Sequence, residues 1–221
     1  RGDRNGYMGY RMRHDLRYQF NYNNRIKFGI TAAQDAGEPF FANRNTMGYD
    51  HYSYYFQLRN IGKLEALNLG LYRVQMGMGL IMNTGFHLGK LATLQSMGRN
   101  SKLLTAHTSR SVVGYLQGAA ATVSLSKQFK LTAFASYRPV DATLNENGTA
   151  RTLVKTGYHR TPTEMDQKYN THETDLGFSL GWRKGMLYIN ANGIYTHLDR
   201  RLSPDKESTL YRRYAIEGSD L

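Results

Sequence analysis

The chain has 221 residues, carries 29 Lys+Arg against 17 Asp+Glu for a net charge of +12, and contains 22 Gly, 17 Tyr, 9 Phe, 4 Pro and no Cys. The absence of Cys excludes a disulfide framework and thiolate metal sites. No run approaches the ~20 apolar residues of a membrane helix, and the aromatic content is too high for a disordered chain.

The dominant signal is a period of two, the spacing of a strand rather than a helix. From Met8 the even positions are Met8, Tyr10, Met12, His14, Leu16, Tyr18, Phe20 and Tyr22. The odd ones between are Gly9, Arg11, Arg13, Asp15, Arg17 and Gln19. Asn23-Asn24 supplies a turn, because Asn tolerates positive φ. A second strand sets Ile26, Phe28, Ile30 and Ala32 against Arg25, Lys27 and Thr31. A third sets Tyr52, Tyr54, Phe56 and Leu58 against Ser53, Gln57 and Arg59. After Asn60-Ile61-Gly62-Lys63, a long fourth strand is predicted over 64–80, containing Arg73. A fifth covers 116–126. A sixth, after Lys127-Gln128, sets Phe129, Leu131, Ala133, Ala135 and Tyr137 against Lys130, Thr132, Ser136 and Arg138. The seventh sets Leu176, Phe178, Leu180 and Trp182 against Asp175, Gly177, Ser179 and Gly181. The eighth, after Arg183-Lys184-Gly185, carries Leu187, Ile189, Ala191 and Tyr195. The start at Arg1 without an initiator Met or leader, and the end inside a strand-like stretch from Tyr211 to Gly218, lead us to expect part of a longer protein.

Short turns alternate with long polar connections at 35–48, 81–115, 139–173 and 199–210. Such loops are uncommon in compact soluble domains, whereas transmembrane barrels have short turns on one side and long loops on the other. The expected fold is therefore all-β: one domain over 1–221, part of an antiparallel up-and-down transmembrane β-barrel, with about eight or nine strands of a larger barrel. The aromatic face would meet outer-membrane lipid, and the small, polar and basic face would line a wet lumen. A soluble sandwich or lipocalin-like barrel alternates too, with the faces reversed. Strand length, scarce Pro and one-sided loops favour the membrane barrel.

Residues 69–90, Leu116 to Ala121, and Leu131 to Arg138 with Asp141-Ala142 resemble an outer-membrane barrel family of Bacteroidota often labelled by its ComEA-like helix-hairpin-helix segment. The resemblance spans about 65–145 and implies a barrel in the bacterial outer membrane, without catalytic residues. These 221 residues contain no helix-hairpin-helix segment, so its DNA-binding role is not carried over.

Among chemical motifs, Gly177-Phe178-Ser179-Leu180-Gly181 matches a nucleophile elbow, with His197 and Asp199 downstream, but lies inside a strand where a strand–turn–helix is required. Gly77-Met78-Gly79 lacks the last glycine of a dinucleotide fingerprint, and Gly85 to Lys90 departs from a phosphate loop in spacing. The seven His show no i, i+4 metal spacing. No enzyme activity, cofactor or metal is expected. The functional expectation rests on Arg11, Arg13, Arg17, Arg25, Lys27, Arg59, Arg73, Lys130 and Arg138, all predicted on the lumenal face, where they would attract anionic solutes. Within it, Arg13, Arg17, Arg25 and Lys27 would form one patch. Asp15, Glu65 and Asp175 are candidate partners that would instead make these groups wall braces. Passage or binding of a solute or polymer at the outer membrane is the expected function. Nucleic-acid handling with a segment outside this chain, and a soluble β-barrel binder, are the alternatives. The loop 81–115 is expected to fold into or over the pore, with a short helix from Leu91 to Met97.

Overall fold

The computed structural model describes residues 6–77, 81–84, 103–111, 113–205 and 215–220. In chain order the elements are β1 (His14–Tyr22), β2 (Ile26–Gln34), β3 (His51–Ile61), β4 (Leu64–Met76), β5 (Met82–Asn83), β6 (Leu104–Ala106), β7 (Leu116–Ser124), β8 (Phe129–Leu144), β9 (Ala150–Val154), α1 (Pro162–Gln167), β10 (Thr171–Lys184), β11 (Leu187–Leu202) and β12 (Gly218–Asp220). One sheet holds all the strands, in the order β1-β2-β3-β4-β7-β8-β10-β11-β12. The short β5 and β6 pair with β4, and β9 pairs with β8 and β11. The sheet curls into a β-barrel.

The hairpins form where the sequence offers residues that accept a left-handed backbone. Asn23 and Asn24 have φ of 47° and 55°, the positive pair a tight hairpin with right-handed twist requires. Gly62 and Gly185 supply the same conformation at the β3–β4 and β10–β11 turns, with φ of 59° and 58°. The registers follow: Phe20 faces Phe28, and Phe28 faces Phe56, so three rings line one outer face.

On the central strands the burial pattern follows the alternation, while β1 and the start of β11 are exposed on both faces. On β3, His51, Ser53, Tyr55 and Gln57 are buried while Tyr52, Tyr54 and Phe56 are exposed. On β10, Thr171, Asp175 and Ser179 are buried while Leu176 and Phe178 are exposed. The barrel thus turns large apolar side chains outward and small polar ones inward. Inside, hydroxyls and amides satisfy one another: Thr122 with Thr132 at 2.9 Å, and Gln57 Nε2 donating to Asn68 Oδ1 at 2.7 Å.

The interior is not the uniformly wet lumen expected. Tyr72, Val74, Met76, Leu104, Leu116, Ala120 and Phe134 form a buried apolar block. Tyr72 meets Phe134 edge-on at 6.5 Å and donates its hydroxyl to the Ala135 carbonyl at 2.8 Å. Two inward aromatics fill a volume that small residues would have left to water.

Several boundaries also differ from expectation. β1 begins at His14 rather than Met8 because the preceding residues turn away: Met8 N donates to Arg160 O at 2.8 Å and Gly9 N to Gly37 O at 2.9 Å. β4 ends at Met76, where Gly77 turns the chain with φ of 57°. The 81–115 connection contains β5 and β6, and the expected helix from Leu91 to Met97 lies outside the described residues. The 139–173 connection is largely structured, with β8 running to Leu144, then β9 and α1. β11 runs to Leu202. Beyond the apolar belt these strands need no apolar face, so the alternation fades while the ladder continues. Pro139 disguises the β8 extension, yet it pairs with His172 in the register. At the C-terminal end the described strand is β12, on the edge of β11.

Candidate functional site

The nine basic residues singled out in the sequence are spread over the barrel. Arg17 and Lys27 sit on the inward register of β1 and β2, opposite Thr31 and Asn21 respectively. Among the described residues, neither has an ion-pair partner. Arg13 precedes β1 and pairs with Asp35 at 2.9 Å, and the exposed Arg11 precedes it. Arg25 occupies the turn at the other end of β1, so nine residues of strand separate it from Arg13. Asp15 pairs with Arg110 at 3.0 Å. Arg59 donates to Leu104 O at 3.2 Å, and Arg73 Nε donates to His107 Nδ1 at 3.0 Å. Lys130 pairs with Glu65 at 2.6 Å. Arg138 pairs with Glu173 at 2.7 Å and lies over the Tyr115 ring. The Arg138 pair braces the neighbouring β8 and β10, and the Lys130 pair reaches across β7 from β8 to β4.

The densest group of buried charge lies elsewhere, at the end of the barrel that carries the long connections. There the β2–β3 connection meets the segment between β9 and β10. His159, fully buried, places Nδ1 2.6 Å from Asp50 Oδ2 and Nε2 3.0 Å from Asp141 Oδ2. Lys168 Nζ donates to Asp50 Oδ1 at 2.7 Å and to its carbonyl at 3.2 Å. Glu38 accepts the His159 N–H on Oε1 at 3.1 Å and the Asp35 N–H on Oε2 at 2.7 Å. The Tyr169 N–H donates to Asp141 Oδ1 at 2.9 Å.

Local sequence positions each part. α1 starts with a capping box: Thr161 accepts the Glu164 N–H, Glu164 reaches back to the Thr161 N–H, and Pro162 opens the helix. That fixes the turn carrying His159 on one side and Lys168 on the other. Asp50 immediately precedes β3. Gly9 allows the N-terminal segment to close over Glu38, since a Cβ there would lie 1.8 Å from the Glu38 carbonyl oxygen.

The electrostatics follow from burial and pairing. Burial works to lower the His159 pKa, but the hydrogen bonds and charges of Asp141 and Asp50 outweigh it and raise it to about 9. Burial works to raise Asp50, but His159 and Lys168 outweigh it and hold the carboxyl below its usual range. Glu38 has no cation partner among the described residues, and burial with the Asp50 charge pushes it up to about 7. Close by, burial with Arg73 pushes His107 down to about 4.

Glu38, Asp50 and His159 each bring one ligand-type atom within 4.8 Å of the others. Each of these atoms already has a hydrogen-bond partner: His159 Nδ1 and Asp50 Oδ2 bond each other, and both Glu38 oxygens hold backbone N–H groups. The group is a closed ion network, not an open coordination shell.

Gly177 to Gly181 lies wholly within β10, and the Ser179 hydroxyl, 1% exposed, donates to Asn190 Oδ1 at 3.0 Å. His197 contacts Asp220, and Asp199 contacts His172. Gly85 to Lys90 lies outside the described residues. Comparison with protein-family models, curated proteins and solved structures found no match. Sequence reasoning missed the ion network because its members stand at 38, 50, 141, 159 and 168, with no shared spacing. The one local signal was the capping-box pattern of Thr161 and Glu164.

Proposed function

We propose that this chain is part of an antiparallel up-and-down β-barrel spanning a bacterial outer membrane, where it serves in passage or binding of a solute or polymer. The observation that carries this reading is the reversal of the usual burial pattern. Ile30, Tyr54, Leu69, Leu176 and Phe178 are each 40% exposed or more, while Ser53, Asn68, Thr132, Ser136 and Ser179 are 3% exposed or less. A monomer in water rarely exposes so continuous an apolar belt. A bilayer removes its cost, and from β2 to β11 each long strand is hydrogen-bonded on both sides, as a strand facing lipid requires. The resemblance to the Bacteroidota outer-membrane barrels accords with the compartment. The packed Tyr72–Phe134 block favours binding or gated passage over a wide channel.

The reading is tested by reconstituting the full protein into vesicles containing brominated acyl chains. Trp182, the single tryptophan, stands on β10 in register with Phe129 and Ile189, so its fluorescence should be quenched by the brominated lipid. A protein that stays monodisperse without detergent, with unquenched Trp182, would end the membrane reading.

A further inference from the structure

The ion network does more than satisfy itself, because its members come from segments that only the tertiary fold brings together. Glu38 and Asp50 flank the β2–β3 connection, Asp141 lies near the end of β8, and His159 and Lys168 flank α1. In the sheet order, β2 and β3 stand second and third, β8 and β10 sixth and seventh. The contacts therefore cross from one part of the barrel wall to another at the end bearing the long connections. The N-terminal segment joins them through Met8–Arg160 and Gly9–Gly37 backbone bonds, and Arg44 adds an outer pair with Asp166 at 2.5 Å. Together these segments form a cap.

Inside the cap the charges balance only in one protonation state. Asp50 and Asp141 are two anions facing two cations, His159 and Lys168, and Glu38 stands beside Asp50 without a third cation among the described residues. The other titratable groups do not supply one. The Asp35 side chain is paired with Arg13, and Arg160 is taken by Glu164 at 2.9 Å. His51 packs against the Tyr115 ring, and burial raises the Tyr115 and Tyr169 hydroxyls so that both stay neutral. Two backbone N–H groups favour the ionised Glu38, but burial and the Asp50 charge outweigh them, so a third anion there is costly.

We propose that the Glu38, Asp50, Asp141, His159 and Lys168 network is a proton-operated clasp, holding the cap over one end of the barrel at neutral and mildly acidic pH and releasing it as pH rises. Glu38 ionises as pH passes about 7, placing a third anion beside Asp50. His159 loses its proton as pH passes about 9, removing a cation from between two aspartates. Both groups titrate above their ordinary values in the closed cap. Their contribution to closure is therefore full below those ordinary values and is lost as pH climbs through about 7 and then about 9. Asp50 is shifted the other way, so its contribution is lost only under strong acid. The clasp depends on the cap geometry and not on whether the outer face meets lipid.

The absence of Cys allows any introduced pair to be labelled uniquely. Met47→Cys and Thr163→Cys place nitroxides on exposed positions of the two cap segments. Pulsed electron–electron distances on the full chain in detergent should be narrow at pH 6 and lose that narrow population by pH 9.5. Glu38→Gln cannot ionise, though its amide nitrogen meets one of the two backbone N–H groups that Glu38 accepts, so it should broaden the pH 6 distance yet move the midpoint up, and Asp141→Asn, which weakens the hold on the His159 proton, should move it down. A second pair at the short turns, Ser126→Cys and Met186→Cys, should keep its distance throughout. Invariant cap distances, a midpoint that neither substitution moves, or loss of the turn-to-turn distance at the same pH would each overturn the clasp.

Discussion

Phe178 and Ser179 are chain neighbours with opposite surroundings: the ring is 49% exposed and the hydroxyl-bearing residue 1%. Placing Arg at Phe178 should cost about 2–4 kcal/mol in a bilayer if this position lies near the midplane, and close to nothing if the face meets water. Urea unfolding from vesicles measures it, and a neutral result there would count against the membrane face. From sequence alone, an Arg at Thr132 or Ser179 would be expected to cost less, since the inward face reads as a wet lumen. The structure changes that expectation: Thr132 is fully buried and bonded to Thr122 at 2.9 Å. Arg at Thr132 meets packed side chains rather than water, so the milder Thr132→Val is the informative change. It strands the Thr122 hydroxyl and should cost about 1–3 kcal/mol in the same assay.

At the scale of elements, the glycines of β10 show why a motif match misleads. A Cβ on Gly177 would lie 2.4 Å from the Phe134 ring and 3.1 Å from the Gly193 carbonyl oxygen. Phe134 is 5% exposed and packed on Tyr72, so it has little room to yield. Gly177 is therefore small because an aromatic ring from the neighbouring strand covers it, and no nucleophile chemistry is needed to explain it. Gly177→Ala should destabilise the barrel by about 1–3 kcal/mol through overpacking. Gly185→Asn, at a left-handed turn with open space around it, should leave the unfolding midpoint nearly unchanged. Equal effects at the two positions would show that backbone conformation, not the Phe134 contact, governs Gly177. The same neighbour effect sets the strand ends. Alternation predicts the parts of β3, β8 and β10 that carry outward aromatics, and fails where β8 passes Pro139 and continues as β9's partner.

For the whole molecule, the net charge of +12 makes an anion preference a natural expectation, but placement limits which residues contribute. Lys130 and Arg138 are neutralised by Glu65 and Glu173, and Arg13 by Asp35. Arg17, Lys27, Arg59 and Arg73 have no carboxylate partner among the described residues; Arg59 and Arg73 are tied to the Leu104 carbonyl and to His107, whereas Arg17 and Lys27 are the untethered pair on β1 and β2. Arg17→Gln with Lys27→Gln should lower anion-over-cation selectivity in reversal-potential measurements on the reconstituted protein, while Arg13→Gln with Arg25→Gln changes it less. Unchanged selectivity in the first pair would make these residues wall braces only.

The sequence by itself determined the all-β class, the main strands, the short turns and which face carries the aromatics. Each is encoded locally, by a period of two and by Asn or Gly at positive φ. The apolar block inside the barrel was not legible, because Tyr72 and Phe134 look like ordinary strand residues until the registers of β4, β7 and β8 set them together. The buried ion network was least legible of all. Its geometry depends on connections that meet across the barrel's end, and no spacing along the chain records a contact between Asp50 and His159. Only the tertiary structure removes those charges from water, and that burial is what makes three carboxyl groups, a lysine and a histidine act on one another.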